Sequence, residues 1–186
     1  MKRLYFLLIL IFCHHTISAQ WQQTNGPYGG NIQCFVSSGS ALFAGTGNGV
    51  FVSSNNGISW TQTNNGLQES VIYSMAVNGT TLYAGTKGGL YQSTNNGNSW
   101  NLLSNGIPTT MVSSLTVSAG NVFAGISQSG VYKSSDDGIS WNAVNNGLSN
   151  LNVEELASNN AEIYAGSSNF GVYKSIDNGL NWSPVN

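Results

Sequence analysis

The chain has 186 residues, a formal net charge of −2, 6% charged residues, 23 glycines, five tryptophans and two cysteines. So weak and acidic a charge disfavours nucleic acid, whose binding rests on basic contacts to phosphate, and an anionic membrane surface. Low charge with abundant Gly, Ser and Asn also occurs in disordered chains, but the regular aromatic and β-branched runs here argue for order.

The chain opens with Met1-Lys2-Arg3, an apolar run from Leu4 to Cys13, and Ile17-Ser18-Ala19. Residues 1–19 read as a secretory signal peptide, and the apolar run is too short to span a membrane. Phe12 stands where a lipoprotein signal before Cys13 would have a small residue. Cleavage leaves residues 20–186, a single-domain length, expected outside the cytoplasm (extracellular, periplasmic or at the cell surface) and not inserted in a membrane. It also removes His14, His15 and Arg3, leaving three lysines against seven carboxylates, a formal charge of −4. One cysteine remains, Cys34, so no intrachain disulfide forms. It aligns with Ser74, Ser114 and Glu155 in a repeat described below and reads as a small buried or half-buried residue. No histidine remains to activate it.

From Ile32 onward the chain repeats. First strands are predicted at Ile32–Ser37, Ile72–Val77, Val112–Val117 and Val153–Ser158. Second strands follow at Leu42–Thr46, Leu82–Thr86, Val122–Ile126 and Ile163–Ser167. Third strands follow at Val50–Ser53, Leu90–Ser93, Val131–Ser134 and Val172–Ser175. Fourth strands start at a tryptophan, as in Trp100–Leu103 and Trp141–Val144. Strands this short, with a turn signal about every ten residues, predict an all-β array, and no mature segment has a helical apolar period. The second strand carries Phe43-Ala44-Gly45, Tyr83-Ala84-Gly85, Phe123-Ala124-Gly125 and Tyr164-Ala165-Gly166. Glycine weakens a strand unless another backbone approaches closely, so its recurrence predicts tight packing between adjacent sheets. These aromatics, with Phe51, Tyr91, Tyr132 and Tyr173, read as that packing rather than as a binding stripe.

Between third and fourth strands stands an octapeptide: Ser53-Ser54-Asn55-Asn56-Gly57-Ile58-Ser59-Trp60, Ser93-Thr94-Asn95-Asn96-Gly97-Asn98-Ser99-Trp100, Ser134-Ser135-Asp136-Asp137-Gly138-Ile139-Ser140-Trp141 and Ser175-Ile176-Asp177-Asn178-Gly179-Leu180-Asn181-Trp182. The tryptophans fall 40, 41 and 41 residues apart, a period typical of propeller blades. Asx-Asx-Gly supplies side-chain acceptors and a glycine for φ > 0, as a tight hairpin requires. Asn and Asp alternate at the third position and both offer an oxygen, so charge is not needed there. The tryptophan covers the hairpin with a large apolar face.

These residues resemble the Asp-box, or BNR, repeat, S-x-D-x-G-x-T-W, over about residues 21–186. Asn55 and Asn95 depart from it in replacing Asp, and Asn181 in replacing Ser/Thr; each keeps the hydrogen-bonding ability. The resemblance implies a β-propeller with blades at 20–60, 61–100, 101–141 and 142–186, in which the box is a structural turn and not an active site. A further Trp-led strand, Trp21-Gln22-Gln23-Thr24, brings the expected strands to one more than a closed four-bladed ring holds. An open arc or partial propeller is therefore favoured. A four-bladed ring with a spare strand, or two chains completing an eight-bladed ring, are the alternatives. An open arc exposes a blade edge that invites self-association.

In an up-and-down blade the box hairpins share one side with the first-to-second-strand loops. The opposite side varies more, and variable loops on a repeated scaffold are where binding resides. Its candidate residues are Tyr28, Asn48, Glu69, Lys87, Gln128, Asn169 and Phe170, a mostly uncharged set suited to a protein or glycan. Sialidases share the Asp-box repeat but bind the substrate carboxylate with arginines, which the mature chain lacks. Ser-His-Asp and Cys-His chemistry and histidine zinc sites fall with the missing histidine. A glycosidase needs two carboxyls within about 5–9.5 Å, and Glu69 stands two repeats from Glu154 and Glu155. Two of the four boxes lack a carboxylate for calcium. The expectation is a secreted, non-catalytic scaffold, without cofactor or metal, that binds protein or polysaccharide, as in adhesive and photosystem II assembly factor-like members of the resembling family. The alternative is a fragment of a larger glycoside hydrolase, similar to the Asp-box xyloglucanases, whose catalytic carboxylates lie outside this chain.

Overall fold

The computed structural model describes residues 23–28, 30–159 and 162–185, all of them strand, turn or coil. The expected signal peptide and the start of the Trp21-led strand lie outside these residues. Strands β1 (Ile32–Ser38), β2 (Ala41–Thr46), β3 (Gly49–Ser53) and β4 (Thr61–Gln62) form the first sheet. The second contains β5 (Ile72–Asn78), β6 (Thr81–Thr86), β7 (Gly89–Ser93) and β8 (Asn101–Leu102). The third contains β9 (Val112–Ser118), β10 (Asn121–Ile126), β11 (Gly130–Ser134) and β12 (Asn142–Ala143), and the fourth β13 (Val153–Asn159), β14 (Glu162–Ser167), β15 (Gly171–Ser175) and β16 (Ser183–Pro184). Each sheet is an antiparallel meander in sequence order.

The first three strands of each sheet follow the sequence pattern to within a residue. The fourth is shorter than expected and begins one residue after the tryptophan. In the last three blades the Trp backbone bonds elsewhere: Trp100 N–H donates to Asn65 O in the linker before its sheet, and Trp141 and Trp182 N–H donate likewise to Asn105 O and Asn146 O. The tryptophan backbone is thus committed to a neighbouring linker. Gln23 and Thr24 form no strand; Asn25 makes a single parallel bridge to Ser59. Every first strand carries a register shift at one position, between Ile32 and Cys34, Ile72 and Ser74, Val112 and Ser114, and Val153 and Glu155. The third bulge places Ser113 Oγ to donate to Val153 O at 2.7 Å in the next sheet.

The sheets pack face to face as blades, and the hydrophobic cores lie between them. One core joins Phe43 and Val50 of the first blade to Ile72, Met75 and Trp100 of the second. Another joins Tyr83 and Leu90 to Val112, Leu115 and Trp141. The last joins Phe123 and Val131 to Val153, Leu156 and Trp182. Glycine in the second strand makes room for each contact: a Cβ on Gly85 would lie 2.5 Å from Ser74 Oγ and 2.8 Å from Val112 Cγ1 of the next blade. Gly45 faces Ile72 and Gly125 faces Val153 in the same way. Strand β1 packs on β5, β5 on β9 and β9 on β13, but no comparable contact joins β13 to β1. The four blades form an open arc of a β-propeller.

Candidate binding face and box turns

The four boxes have one geometry. Ser53 Oγ donates to Asn55 Oδ1 at 2.9 Å and accepts from Gly57 N–H at 2.9 Å, while Ser59 N–H donates to Asn55 Oδ1 at 2.9 Å. The same three bonds hold the boxes of Ser93, Asn95 and Gly97, of Ser134, Asp136 and Gly138, and of Ser175, Asp177 and Gly179. The fourth and fifth residues both have positive φ, 57° and 84° at Asn56 and Gly57 and 55° and 85° at Asp137 and Gly138. Ile139 N–H donates to Asp136 O at 3.3 Å and closes the turn. Two successive left-handed residues mark a type I′ turn, which favours Asn-Gly and Asp-Gly, inside the longer loop between third and fourth strands.

Asn and Asp solve the remaining bond in opposite directions. Asn55 Nδ2 donates to Ser59 Oγ at 2.9 Å, whereas Ser140 Oγ donates to Asp136 Oδ2 at 2.5 Å. The Ser140 hydroxyl and N–H hold the Asp136 carboxyl below its ordinary pKa, and the Asn181 side-chain amide and N–H do the same for Asp177. The tryptophans reach backward: Trp141 meets Tyr83 of the preceding blade edge-on at 6.4 Å, and Trp100 Nε1 and Trp182 Nε1 donate to Thr63 O and Val144 O of the preceding blade. Trp100, Trp141 and Trp182 are buried, while Trp60 is half-buried. The boxes are therefore occupied as hairpin turns and blade contacts.

The candidate binding residues lie at the opposite ends of the strands. Asn48, Lys87, Gln128 and Asn169 stand in the turns between second and third strands of successive blades, and all four are exposed. Backbone bonds fix three of these turns to the linkers that enter their blades, Gly47 N–H donating to Asn31 O, Ser127 N–H to Met111 O and Ser168 N–H to Asn152 O. Glu69 reaches the second turn, where a Cβ on Gly88 would lie 2.8 Å from its Oε1, which places it beside Lys87. Gly30, two residues after Tyr28, lies against Gly47 and Asn48. Tyr28, with its hydroxyl donating to Asn25 Oδ1, and Phe170 are both exposed. Asn48 thus sits on the first blade, with Tyr28 in the segment leading to it but bonded back to Asn25 beside the first box, Glu69 and Lys87 together on the second blade, Gln128 on the third, and Asn169 with Phe170 on the fourth.

Two linker residues that the sequence reading passed over shape this side. Asn64 Oδ1 accepts from Val50 N–H at 2.8 Å and Asn145 Oδ1 from Val131 N–H at 2.7 Å, pinning the linker to the start of the third strand. Their recurrence as Asn64-Asn65-Gly66 and Asn145-Asn146-Gly147 was the available signal. Glu154 accepts from Asn152 Nδ2 and Glu155 from Ser114 Oγ, each at 2.9 Å, so neighbours engage both carboxylates. Cys34 is half-buried between the first two blades, and burial pushes its thiol up to about 11. Among the described residues no three His, Cys, Asp or Glu side chains come together as a metal site.

Solved structures similar to the chain include GH74 enzymes, extracellular domains and computationally designed proteins. An ancestral GH74 enzyme matches at TM-score 0.70 and 27% identity, covering 90% of this chain and 25% of that one. The extracellular domain of BT4673 from B. thetaiotaomicron matches at TM-score 0.71 and 20% identity, over 87% of this chain and 23% of that one. The computationally designed Ika4 protein matches at TM-score 0.69 and 14% identity, over 85% of this chain and 99% of that one. The chain thus spans about a quarter of the length of the GH74 and BT4673 structures. No curated protein matches it. Residues 11–121, more than half of the sequence, fit the model of the DUF6242 beta propeller domain, and with four propeller-type sheets in place the chain belongs to that family.

Proposed function

We propose that the chain is a secreted propeller scaffold with repeats of the Asp-box type, and that it binds protein or polysaccharide through its variable loop side without catalysing a reaction. One observation carries this reading. The turns between second and third strands on that side differ from blade to blade, Gly47-Asn48, Lys87-Gly88, Ser127-Gln128-Ser129 and Ser168-Asn169-Phe170, and three of them are bonded to the linker that enters their blade. A repeated frame with varied tips is what recognition needs, and Tyr28 and Phe170 supply apolar contact at its two ends. Export agrees with the extracellular domain among the structural neighbours.

The test is a glycan array and a panel of extracellular proteins, probed with the wild type and with a variant carrying Asn48→Ala, Lys87→Ala, Gln128→Ala and Asn169→Ala. Binding to one class that the variant loses by tenfold or more is expected; binding that survives all four changes would move the site elsewhere. The likeness to an ancestral GH74 enzyme at 27% identity over nearly the whole chain favours a second reading, a portion of a larger glycoside hydrolase. One neighbour is a GH74 xyloglucanase from Xanthomonas campestris. Hydrolysis of xyloglucan by the purified chain would overturn the non-catalytic reading, and binding of it without hydrolysis would agree with both.

A further inference from the structure

The arc ends in two unlike faces, each of which repeats one half of the contacts made between blades. On the first blade, Phe35 is 59% exposed, whereas Met75, Leu115 and Leu156 at the same position are at most 8% exposed. Ile32 is likewise 38% exposed where Ile72, Val112 and Val153 are fully buried or nearly so. On the fourth blade the complementary half stands open. Tyr164 is half-buried where Phe43, Tyr83 and Phe123 are fully buried. Among the described residues, a Cβ on Gly166 would meet nothing closer than Glu155 at 3.8 Å, where Gly45, Gly85 and Gly125 receive Ile72, Val112 and Val153. Polar groups follow the same rule. Lys133 Nζ donates to Asn178 O, and Gln92 Nε2 to Asp137 O, in the box of the next blade. Lys174 holds that position on the fourth blade and instead pairs with Glu162 at 3.3 Å.

We infer that the fourth blade of one copy docks on the first blade of a second copy, head to tail, continuing the inter-blade interface. Tyr164 then meets Trp60 of the second copy as Tyr83 meets Trp141, Ile32 enters the space above Gly166, and Lys174 reaches the Asn56 carbonyl. A heterologous contact of this kind gives a ring when its rotation closes. Propellers hold about 4–8 blades, so two copies of a four-bladed arc close within that range and three exceed it. Thr24 fills the outer corner that the docked blade would enter: it lies 3.8 Å from a Cβ on Gly57, as Thr63 lies 3.4 Å from one on Gly97. Among the described residues, 23–24 are tied to the first box only through Asn25, which bridges Ser59 and donates to Ile58 O, whereas β16 runs from the buried Trp182, so residues 23–24 give way. This inference is independent of which ligand the loops bind.

Sedimentation equilibrium of the purified chain tests it. The expected mass is that of two chains. Gly166→Val on one face and Phe35→Asp on the other should each reduce it to one chain while a cooperative melt and the β-sheet circular dichroism are retained. Mixing these two variants leaves one wild-type interface per pair and should restore a two-chain species. A wild type of single-chain mass, larger open polymers, or loss of the pair by only one variant, as in a like-to-like contact, would each overturn the inference. Ala157→Arg is the second variant for the fourth-blade face: Ala157 is exposed, and Ala76 at its position is buried. A two-chain mass for Ala157→Arg would count against the docking.

Discussion

At the scale of single residues the box turn is a set of donors aimed at one side-chain oxygen, and charge improves the acceptor without being required. Asp136 and Asp177 are held below the ordinary carboxylate pKa because Ser140 and Asn181 donate to their charged forms. The resulting stability is complete above the unfolded carboxylate pKa of about 4, falls as pH drops through the lower folded value, and is gone beneath it. The wild type should therefore lose melting temperature across that acid window more steeply than an Asp136→Asn, Asp177→Asn double variant; parallel curves would show that the turns do not sense the charge. At neutral pH the single changes should differ. Asn at 136 can adopt the Asn55 arrangement by rotating the Ser140 hydroxyl, but Asn at 177 would point its amide at Asn181 Nδ2, whose amide must then flip away from its bond with Asn146. Asp177→Asn should melt lower than Asp136→Asn, and equal melting would mean that the amides flip at no cost. The turn itself was legible, since Asx, Gly and Ser at fixed offsets dictate it locally. The tryptophan was legible only as an apolar cover. Its partner, Tyr83, lies 58 positions away in another blade, and local chemistry does not encode that pairing.

At the scale of elements the second strand is the piece that sets blade spacing. The sequence reading inferred close packing from its repeated glycine, and the structure supplies the neighbour, the first residue of the next blade. Gly85→Val should cost about 1–3 kcal/mol by overpacking against Ser74 and the Val112 backbone, whereas Gly166→Val should leave the melt of the single chain unchanged. Equal effects at the two positions would mean that the strand, not the interface, requires glycine. Trp141→Ala should cost about 3–5 kcal/mol, the range for removing a buried large aromatic, because its indole fills the core between the second and third blades. A chemical denaturation midpoint close to wild type would refute that role. The linker bonds that hold Trp100, Trp141 and Trp182 out of the fourth strands were not legible, because their acceptors, Asn65, Asn105 and Asn146, lie in the preceding linkers.

At the scale of the whole molecule the arc behaves as a one-dimensional array, in which stability is a sum of blade terms and nearest-neighbour contacts. The middle blades own two such contacts and the end blades one. The period indicated the array, whereas its openness was inferred from a spare Trp21-led strand that Gln23 and Thr24 do not form; which loops bind and what covers the ends are set by shapes that no repeat period records. The asymmetry has a measurable consequence. In the single-chain form obtained with Phe35→Asp, amide exchange should be slowest in β6 and β10, whose two faces are both packed, and faster in β2 and β14, whose blades each have an open face. In the two-chain form the end blades gain their missing neighbour, and protection of β2 and β14 should rise toward that of β6 and β10. A wild type whose end strands exchange as fast as those of the variant would leave the two faces uncovered in solution, and the fourth inter-blade core would not exist.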